Sequence, residues 1–295
     1  MKGAYHMNFL QLKYFKIVAE QENISKAASL LYISQPALSK SIHLLEHEIG
    51  YALFDRKGSG IQLNKNGSIF YRYTTYILSS IDSAISEISD INHNNHKVTL
   101  SMTAGTRFLP EIIMGIKEYF PYIELSIRQE DYDDKIQNCD LYLHSSTIPL
   151  QNEYAITLLS ELCLLGVSKD NPLSNEPFIT PEMLQNEIFL TMQDQLPLYQ
   201  ITCELCKSGG FVPNTSLQFD NRETIFNLIN ANMGISIIPQ KTWAPYINQK
   251  KIVLKPLSIS YYRYIILRWH KNHYLSDDTN TVISYLKDYF NALNA

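Results

Sequence analysis

Apolar residues recur at three- and four-residue steps through the first 50 residues, which predicts three short helices. The first helix covers residues 9–20. The second is expected to begin at Ser25 and the third at Ser34, because serine is a preferred N-cap residue. Gly50 then ends the third helix, since glycine is favoured just beyond a helix C-terminus. The core-facing stripe of the third helix is predicted to be Ala37, Leu38, Ile42, Leu45 and Ile49.

Two short strands joined by a glycine-rich turn are predicted in residues 51–67, with Leu53 and Phe54 anchoring this β-wing to the helices. Two helices joined by a tight turn and followed by a wing form a winged helix-turn-helix. Its recognition helix enters the DNA major groove with its N-terminal end first. The alternative is a small helical domain whose polar helix start is simply solvated. The agreement of helix lengths, turn length, wing and the position of Pro36 favours DNA binding.

Polar side chains at the start of the predicted recognition helix suit contacts with DNA. Gln35 can pair with an adenine edge through two hydrogen bonds. Serine hydroxyls can reach bases or phosphates, and cationic side chains on the helix and beside the wing tip can neutralise phosphates. These further candidate DNA contacts are Ser34, Ser39, Lys40, Arg56 and Lys57.

A long helix is predicted after the wing. From Lys65 to about Asn92 the chain has no proline and one glycine, so the helix would span about 40 Å at 1.5 Å per residue. Its apolar stripe consists of Ile69, Tyr73, Tyr76, Ile77, Ile81, Ala84, Ile88 and Ile91. We expect the same helix of a second chain to cover this stripe, because twofold-related proteins read inverted half-sites. The alternative is that the stripe packs on its own domain.

The remaining 200 residues alternate strand-like and helical segments, which predicts parallel α/β units. The predicted strands are 98–104, 123–129, 139–145, 161–173, 188–192, 216–220, 235–239 and 261–269, and the predicted helices are 108–120, 221–234 and 281–293. Two strands, near 162–168 and 263–269, are expected to cross between two lobes. The fold class is therefore α/β overall. The expected domains are a DNA-binding domain at 7–66, a linker helix and hinge at 67–96, and a two-lobed domain at 97–295, with lobe 1 at about 97–165 and 267–295 and lobe 2 at about 166–266.

Composition and charge narrow the function classes. The chain has 295 residues, 45% hydrophobic and 18% charged, and no apolar run near the ~18 residues of a membrane span. The first residues lack a secretory signal pattern, so we expect a cytoplasmic protein with no membrane partner and four reduced cysteines. Residues 1–96 carry 9 Lys and Arg against 8 Asp and Glu, whereas the rest carries 16 against 21. A weakly basic head on an acidic body permits nucleic-acid binding.

The run from Asn23 to Gly67 closely resembles the DNA-binding domain of LysR-type transcriptional regulators. The matching features, in order, are Ser25–Ala28, Ser34–Ser39, Leu45-Glu46, Gly50, Leu53–Arg56 and Leu63-Asn64. The resemblance implies that Gln35, Pro36, Ser39 and Lys40 lie on the groove-facing end and Arg56 on the phosphate backbone. It also implies a homodimer or homotetramer on operator DNA, with RNA polymerase as a further candidate partner. The two-lobed domain is similar to the effector-binding domain of these regulators, which itself resembles periplasmic solute-binding proteins.

A small-molecule effector is expected at the carboxyl ends of the strands, between the lobes. Thr103, Thr106 and Arg107 follow the first strand and lead into a helix whose free N–H groups favour an anion. The resemblance implies hydroxyl contacts at Thr103 and Thr191, although the segment before Phe108 is about two residues shorter than is usual in the family. The remaining candidates come from the opposite rims of the cleft: Ser145, Ser146, Thr191, Asn221 and Thr224.

Other chemistry has little support in the sequence. No catalytic motif, nucleotide-binding loop or cofactor signature is present, so no cofactor, metal or enzymatic activity is expected. Cys203 and Cys206 form a single CxxC, for which simple packing is favoured over a redox switch. The competing function is a two-lobed carrier or enzyme whose helical head contacts another protein. Effector identity, target genes, and activation or repression remain open at this stage.

Overall fold

The computed structural model describes residues 7–57, 60–93, 96–129, 139–270 and 274–294. The chain divides into two units, residues 1–94 with 272–274, and residues 95–271 with 275–295. Among the described residues, no helix combines the length and the apolar character needed to cross a bilayer.

The first unit is a three-helix head with a β-hairpin and a long helix. Its elements are α1 (Phe9–Gln21), α2 (Ile24–Leu30), α3 (Gln35–Ile49), β1 (Phe54–Lys57), β2 (Gly60–Leu63) and α4 (Lys65–His93). The Ser34 side chain accepts a hydrogen bond from the Ala37 N–H at 3.4 Å and caps α3 as predicted. The expectation for α2 is wrong: Asn23 caps it, accepting from the Lys26 N–H at 3.0 Å, and Ser25 lies inside the first turn. Both Asn and Ser are good caps, and the backbone selects the one in extended conformation.

The core of the head is formed where the helices and the wing meet. Its fully buried side chains include Phe15, Leu38, Leu45 and Leu53. Ile49 packs partly against this core, whereas Ala37 is exposed, so the predicted stripe of α3 is wrong at Ala37. That residue belongs to the first turn of α3, on the side facing away from the head.

The wing is an antiparallel hairpin in which Phe54 pairs with Leu63 and Arg56 with Ile61. The Phe54 and Phe15 rings lie 5.4 Å apart, which ties the wing to α1. Gly67 permits the start of α4 to approach the wing, because a Cβ there would lie 2.0 Å from the Leu53 carbonyl oxygen. The tip of the wing, residues 58–59, lies outside the described residues.

The second unit is built on one large mixed sheet and a smaller one. Its strands are β3 (Lys97–Met102), β4 (Glu124–Arg128), β5 (Leu141–Ser146), β6 (Gln151–Asn152), β7 (Ala155–Ser168), β8 (Ile188–Met192), β9 (Asn214–Phe219), β10 (Ser236–Pro239), β11 (Ile252–Lys255) and β12 (Tyr261–Arg268). The large sheet has the order β10-β7-β12-β5-β3-β4, with β6 and β11 also on β7, and β8 pairs with β9. Strand β3 is parallel to β4 and β5, and β8 is parallel to β9, as α/β units require.

Two separate hydrophobic cores define two lobes within this unit. The helices are α5 (Leu109–Tyr119), α6 (Pro197–Ser208), α7 (Arg222–Asn230) and α8 (Asp277–Asn294). One core joins β3 and β5 to α5 and α8, and the other joins β8 and β10 to α6 and α7. The cores change over along β7 between Leu159 and Cys163, and along β12 between Tyr261 and Ile265. These points lie a few residues earlier on each strand than the expected lobe limits near 165 and 266.

Strands β6 and β11 are short additions to β7 that the sequence patterns do not reveal. They contain two and four residues, which is too short for an alternating pattern to develop. Helix α7 ends at Asn230, with Ala231 as its cap, rather than continuing to Gly234.

Candidate nucleic-acid interface and effector cleft

The N-terminal end of α3 presents a polar surface to solvent. Ser34, Gln35, Pro36 and Lys40 are exposed and Ser39 is half-buried. Within the described residues, the side chains of Gln35 and Lys40 have no hydrogen bond or ion pair. Their donors and acceptors are therefore free for another molecule, as a recognition helix requires.

Tyr32 adds an aromatic side chain to this surface that the sequence reasoning missed. It is 95% exposed and lies in the turn between α2 and α3. Its φ of 54° is in the left-handed region, which a residue other than glycine adopts infrequently. The sequence contained a signal for this exposure. The turn between the two helices was correctly predicted, and a tyrosine within such a turn could have been expected to be exposed.

The wing offers one further cation that can be described. Arg56 is exposed on β1, opposite Ile61. The backbone of Lys57 belongs to β1, but its side chain lies outside the described residues.

Helix α4 carries the predicted apolar stripe on its surface. Its side chains stand 38–61% exposed at Ile69, Tyr73, Tyr76, Ile77, Ile81 and Ile88, and Ile85 adds a further exposed apolar residue. Ala84 is also exposed, and the side chain of Ile91 lies outside the described residues. An isolated helix would be poorly solvated with this stripe uncovered.

A cleft of about 90 Å³ opens between the two lobes of the second unit. It is lined by Thr103, Ala104, Gly105, Thr106, Arg107, Ser145, Met192, Leu196, Pro197, Leu198, Arg222, Thr242, Trp243 and Arg263. Four of the predicted effector contacts, Thr103, Thr106, Arg107 and Ser145, are therefore brought together. They meet because β3 and β5 are parallel and end at the same edge of the sheet.

The other four predicted contacts are not among the residues that line this cleft. Asn221 caps α7, accepting a hydrogen bond from the Thr224 N–H at 2.9 Å. The Ser146 hydroxyl accepts from the Ile148 N–H at 3.1 Å. Thr191 is buried, and its hydroxyl has no partner within the described residues. For these residues and Thr224, contact with an effector stays a prediction from the sequence.

A buried ion pair that the sequence reasoning missed lies at the cleft. Arg263 of β12 donates to Glu161 Oε1 from Nε at 3.0 Å and from Nη2 at 2.7 Å. The carboxylate also accepts from the backbone N–H groups of Lys241 and Thr242, at 3.0 and 2.9 Å, and Arg263 donates to the Thr242 hydroxyl. Glu161 is thereby fully satisfied despite being only 1% exposed. The signal for this pair was the single acidic residue of β7 together with a basic residue in the interior of β12.

Arg107 and Arg222 are the other two cations of the cleft. Arg107 Nη1 donates to the Lys241 carbonyl at 2.6 Å. Arg222 lies over the Tyr246 ring, 4.0 Å from its centroid. Among the residues that the structure describes, no acidic side chain lines the cleft. The cleft is therefore electropositive, because Glu161 offsets only Arg263.

Burial shifts the pKa of a cysteine and of a histidine in the second unit. Burial raises the pKa of the Cys206 thiol to about 12, so the reactive thiolate is scarce at neutral pH. No disulfide joins any of the four cysteines within the described residues. Desolvation lowers the pKa of His144 to about 4, which keeps this buried imidazole neutral. Within the described residues, no cluster of three or more His, Cys, Asp or Glu residues has a metal-binding arrangement.

Comparisons with known proteins match both units. The model of the "bacterial regulatory helix-turn-helix protein, lysR family" matches residues 9–68, and that of the "LysR substrate binding domain" matches residues 93–291. The uncharacterised HTH-type transcriptional regulator YybE of Bacillus subtilis is 30% identical, over 96% of this chain and 99% of its own. The transcriptional dual regulator GltC of the same organism is 28% identical, over 81% of this chain and 82% of its own.

Solved structures share the fold along almost the whole chain. A full-length OxyR variant from Pseudomonas aeruginosa has a TM-score of 0.60 at 21% identity, covering 97% of this chain and 95% of that one. Full-length CbnR in complex with its target DNA has a TM-score of 0.52 at 18% identity, covering 96% of this chain and 100% of that one. At these identities the likeness concerns the fold.

Proposed function

Because the chain belongs to the LysR family of DNA-binding transcriptional regulators, which are not enzymes, we propose that it binds inverted-repeat operator DNA as a homodimer or homotetramer and responds to a small anionic effector. In this proposal residues 7–66 bind DNA, residues 67–96 provide dimerisation and the hinge, and residues 97–295 bind the effector. The protein acts in the cytoplasm, where it meets operator DNA and RNA polymerase.

The free polar end of α3 is the observation that carries the DNA-binding part of the proposal. Gln35 presents a side-chain amide that has no partner among the described residues, and an amide matches the donor and acceptor of an adenine edge. Ser34, Pro36, Ser39, Lys40, Arg56 and Lys57 complete the proposed DNA contacts. Among the solved structures of similar fold, CbnR is held in a complex with its target DNA.

The electropositive cleft supports the effector part of the proposal. Thr103, Thr106, Arg107 and Ser145 would contact the ligand directly, and hydroxyl and guanidinium donors favour an anion. Ser146, Thr191, Asn221 and Thr224 stay as outer candidates from the sequence. The effector would act by binding one arrangement of the protein more tightly than another, since only differential affinity shifts an equilibrium.

The Gln35→Ala variant tests the assignment of the recognition helix. We expect it to lose discrimination between the best operator and a single-base variant at the contacted adenine, by about 1–3 kcal/mol. Binding to random DNA should persist, because phosphate contacts supply most nonspecific affinity. Fluorescence anisotropy with both duplexes at fixed salt measures this difference.

A matched control is Gln200→Ala, which makes the same change at an exposed position of α6. It should bind both duplexes like the unaltered protein. If Gln35→Ala kept full discrimination on every selected site while Gln200→Ala behaved normally, α3 would not read bases through Gln35.

A further inference from the structure

The charge of the cleft is not evenly compensated. Arg263 is neutralised by Glu161, which accepts two of its N–H groups at 3.0 and 2.7 Å. Arg107 and Arg222 line the same cleft and, within the described residues, have no acidic partner. Counted over the described residues, the cleft thus contains two cations in excess, and two negative charges would balance them.

The two uncompensated arginines come from different lobes. Arg107 follows β3, which belongs to the core with α5 and α8, whereas Arg222 begins α7, which belongs to the other core. Each keeps donors available. Arg107 uses one N–H for the Lys241 carbonyl, and Arg222 uses the face of its guanidinium over Tyr246, which leaves the edge donors free.

The lining of the cleft includes apolar side chains as well as these cations. Met192, Leu196, Leu198 and Trp243 line it, and they favour methylene groups over further charge. Leu196 is also the N-cap of α6 and has no side-chain oxygen. Because Pro197 lacks an N–H and the Tyr199 N–H donates to the Leu196 carbonyl at 3.0 Å, the Leu198 N–H is the donor left at this helix start among the described residues. It adds one N–H to the donors that favour an anion.

The size of the cleft limits the ligand. Its volume is about 90 Å³. Since a bound water needs about 10–15 Å³ on this measure, the cleft has room for roughly six to nine non-hydrogen atoms. This volume favours a chain of four or five carbons, counting a carboxylate at each end, over nucleotides and aromatic acids with large substituents.

We propose that the effector is a short aliphatic dicarboxylate that bridges the lobes, with one carboxylate on Arg107 and the other on Arg222. The inference rests on the proposed effector function and specifies its ligand class. Binding through both ends links the two lobes through one molecule. A carboxylate on the remaining N–H groups of Arg107 would lie next to the Lys241 carbonyl, which Arg107 already contacts across the lobes.

The test uses the full-length protein and isothermal titration calorimetry at low salt with three probes of equal carbon number. Glutarate carries two carboxylates, pentanoate one, and glutaramide none. We expect glutarate to bind at least about tenfold more tightly than pentanoate, and glutaramide to bind most weakly. Arg107→Gln and Arg222→Gln should each weaken glutarate binding by roughly tenfold to a hundredfold, the range for a lost charge-assisted hydrogen bond.

Arg128→Gln is the matched control, since Arg128 is exposed on β4 and does not line the cleft. It should bind glutarate with the affinity of the unaltered protein. Circular dichroism is used to check that all variants are folded. Equal affinity for glutarate and pentanoate, or no effect of Arg222→Gln, would overturn the dicarboxylate inference. Pentanoate binding that depended on Arg107 would still preserve the proposed anionic effector, and the absence of any binding by all three probes would count against both.

Discussion

At the scale of single residues, the buried carboxylate of Glu161 organises the base of the cleft. It joins three separate parts of the chain: its own strand β7, Arg263 on β12, and the backbone N–H groups of Lys241 and Thr242 after β10. Lys241 in turn accepts the hydrogen bond from Arg107. A single acidic side chain therefore fixes the backbone that accepts the hydrogen bond of Arg107, the arginine proposed to bind the effector.

This arrangement predicts a large loss of stability for Glu161→Gln. The change leaves Arg263 buried without its counter-charge, and breaking a buried ion pair costs about 3–5 kcal/mol of unfolding free energy. Glu20→Gln is the control, because the Lys16–Glu20 pair on α1 is partly exposed and its loss should cost about 1 kcal/mol or less. Urea denaturation measures both, and equal small losses for the two variants would contradict the role given to Glu161.

Sequence reasoning identified some residues of the cleft and missed others for a physical reason. Arg107 and Thr103 were predicted because they directly follow a strand whose carboxyl end must face the cleft. Arg263 was missed because its place depends on the pairing of β12 with β7 across about 100 residues. Arg222 was missed at the start of a predicted helix, where only Asn221 and Thr224 were considered. Asn221 was predicted as a ligand contact, yet its side chain accepts the Thr224 N–H. The sequence alone does not distinguish a polar residue that caps a helix from one that contacts a ligand, because both occur at the start of a helix.

At the scale of elements, helix α4 was predicted from its apolar repeat, and the same repeat is the proposed dimer contact. Its limits agree with the predicted helix to within about one residue, because proline is absent and the apolar repeat is long. The cap of α2 was assigned to the wrong residue, since several good caps stand next to one another there. Long repeats thus predict an element well, whereas its ends depend on local backbone conformation.

The exposed stripe of α4 predicts that Ile77→Asp weakens self-association. Ile77 lies within the stripe at 43% exposure. A dimer would lose the burial of the exposed part of two isoleucines, about 1–3 kcal/mol, and would bury two carboxylates instead, so the dissociation constant should rise at least about tenfold. Sedimentation velocity over a concentration series measures the shift.

The corresponding control is Ile148→Asp, which replaces an exposed isoleucine of the second unit that is 61% accessible. It should associate like the unaltered protein. Should Ile77→Asp sediment identically to Ile148→Asp at every concentration, the stripe would not be the dimer contact.

At the scale of the whole molecule, the chain combines a DNA-binding head with a two-lobed ligand domain, as in other members of the LysR family. The head was predicted in nearly every element, because its helices, turn and wing are local in sequence. The topology of the second unit was predicted only in outline. Strands β7 and β12 pair across about 100 residues, and β11 joins β7 without any local signal.

The most direct test of the account is selection of bound sequences from random duplex DNA by the full-length protein, followed by sequencing. We expect an inverted repeat whose half-sites lie about one or more helical turns apart, since twofold-related recognition helices contact successive major grooves. Affinity for the selected site should also fall steeply as salt is raised, because phosphate contacts release counterions. Recovery of DNA without any shared sequence, at every salt concentration that permits binding, would contradict the central claim.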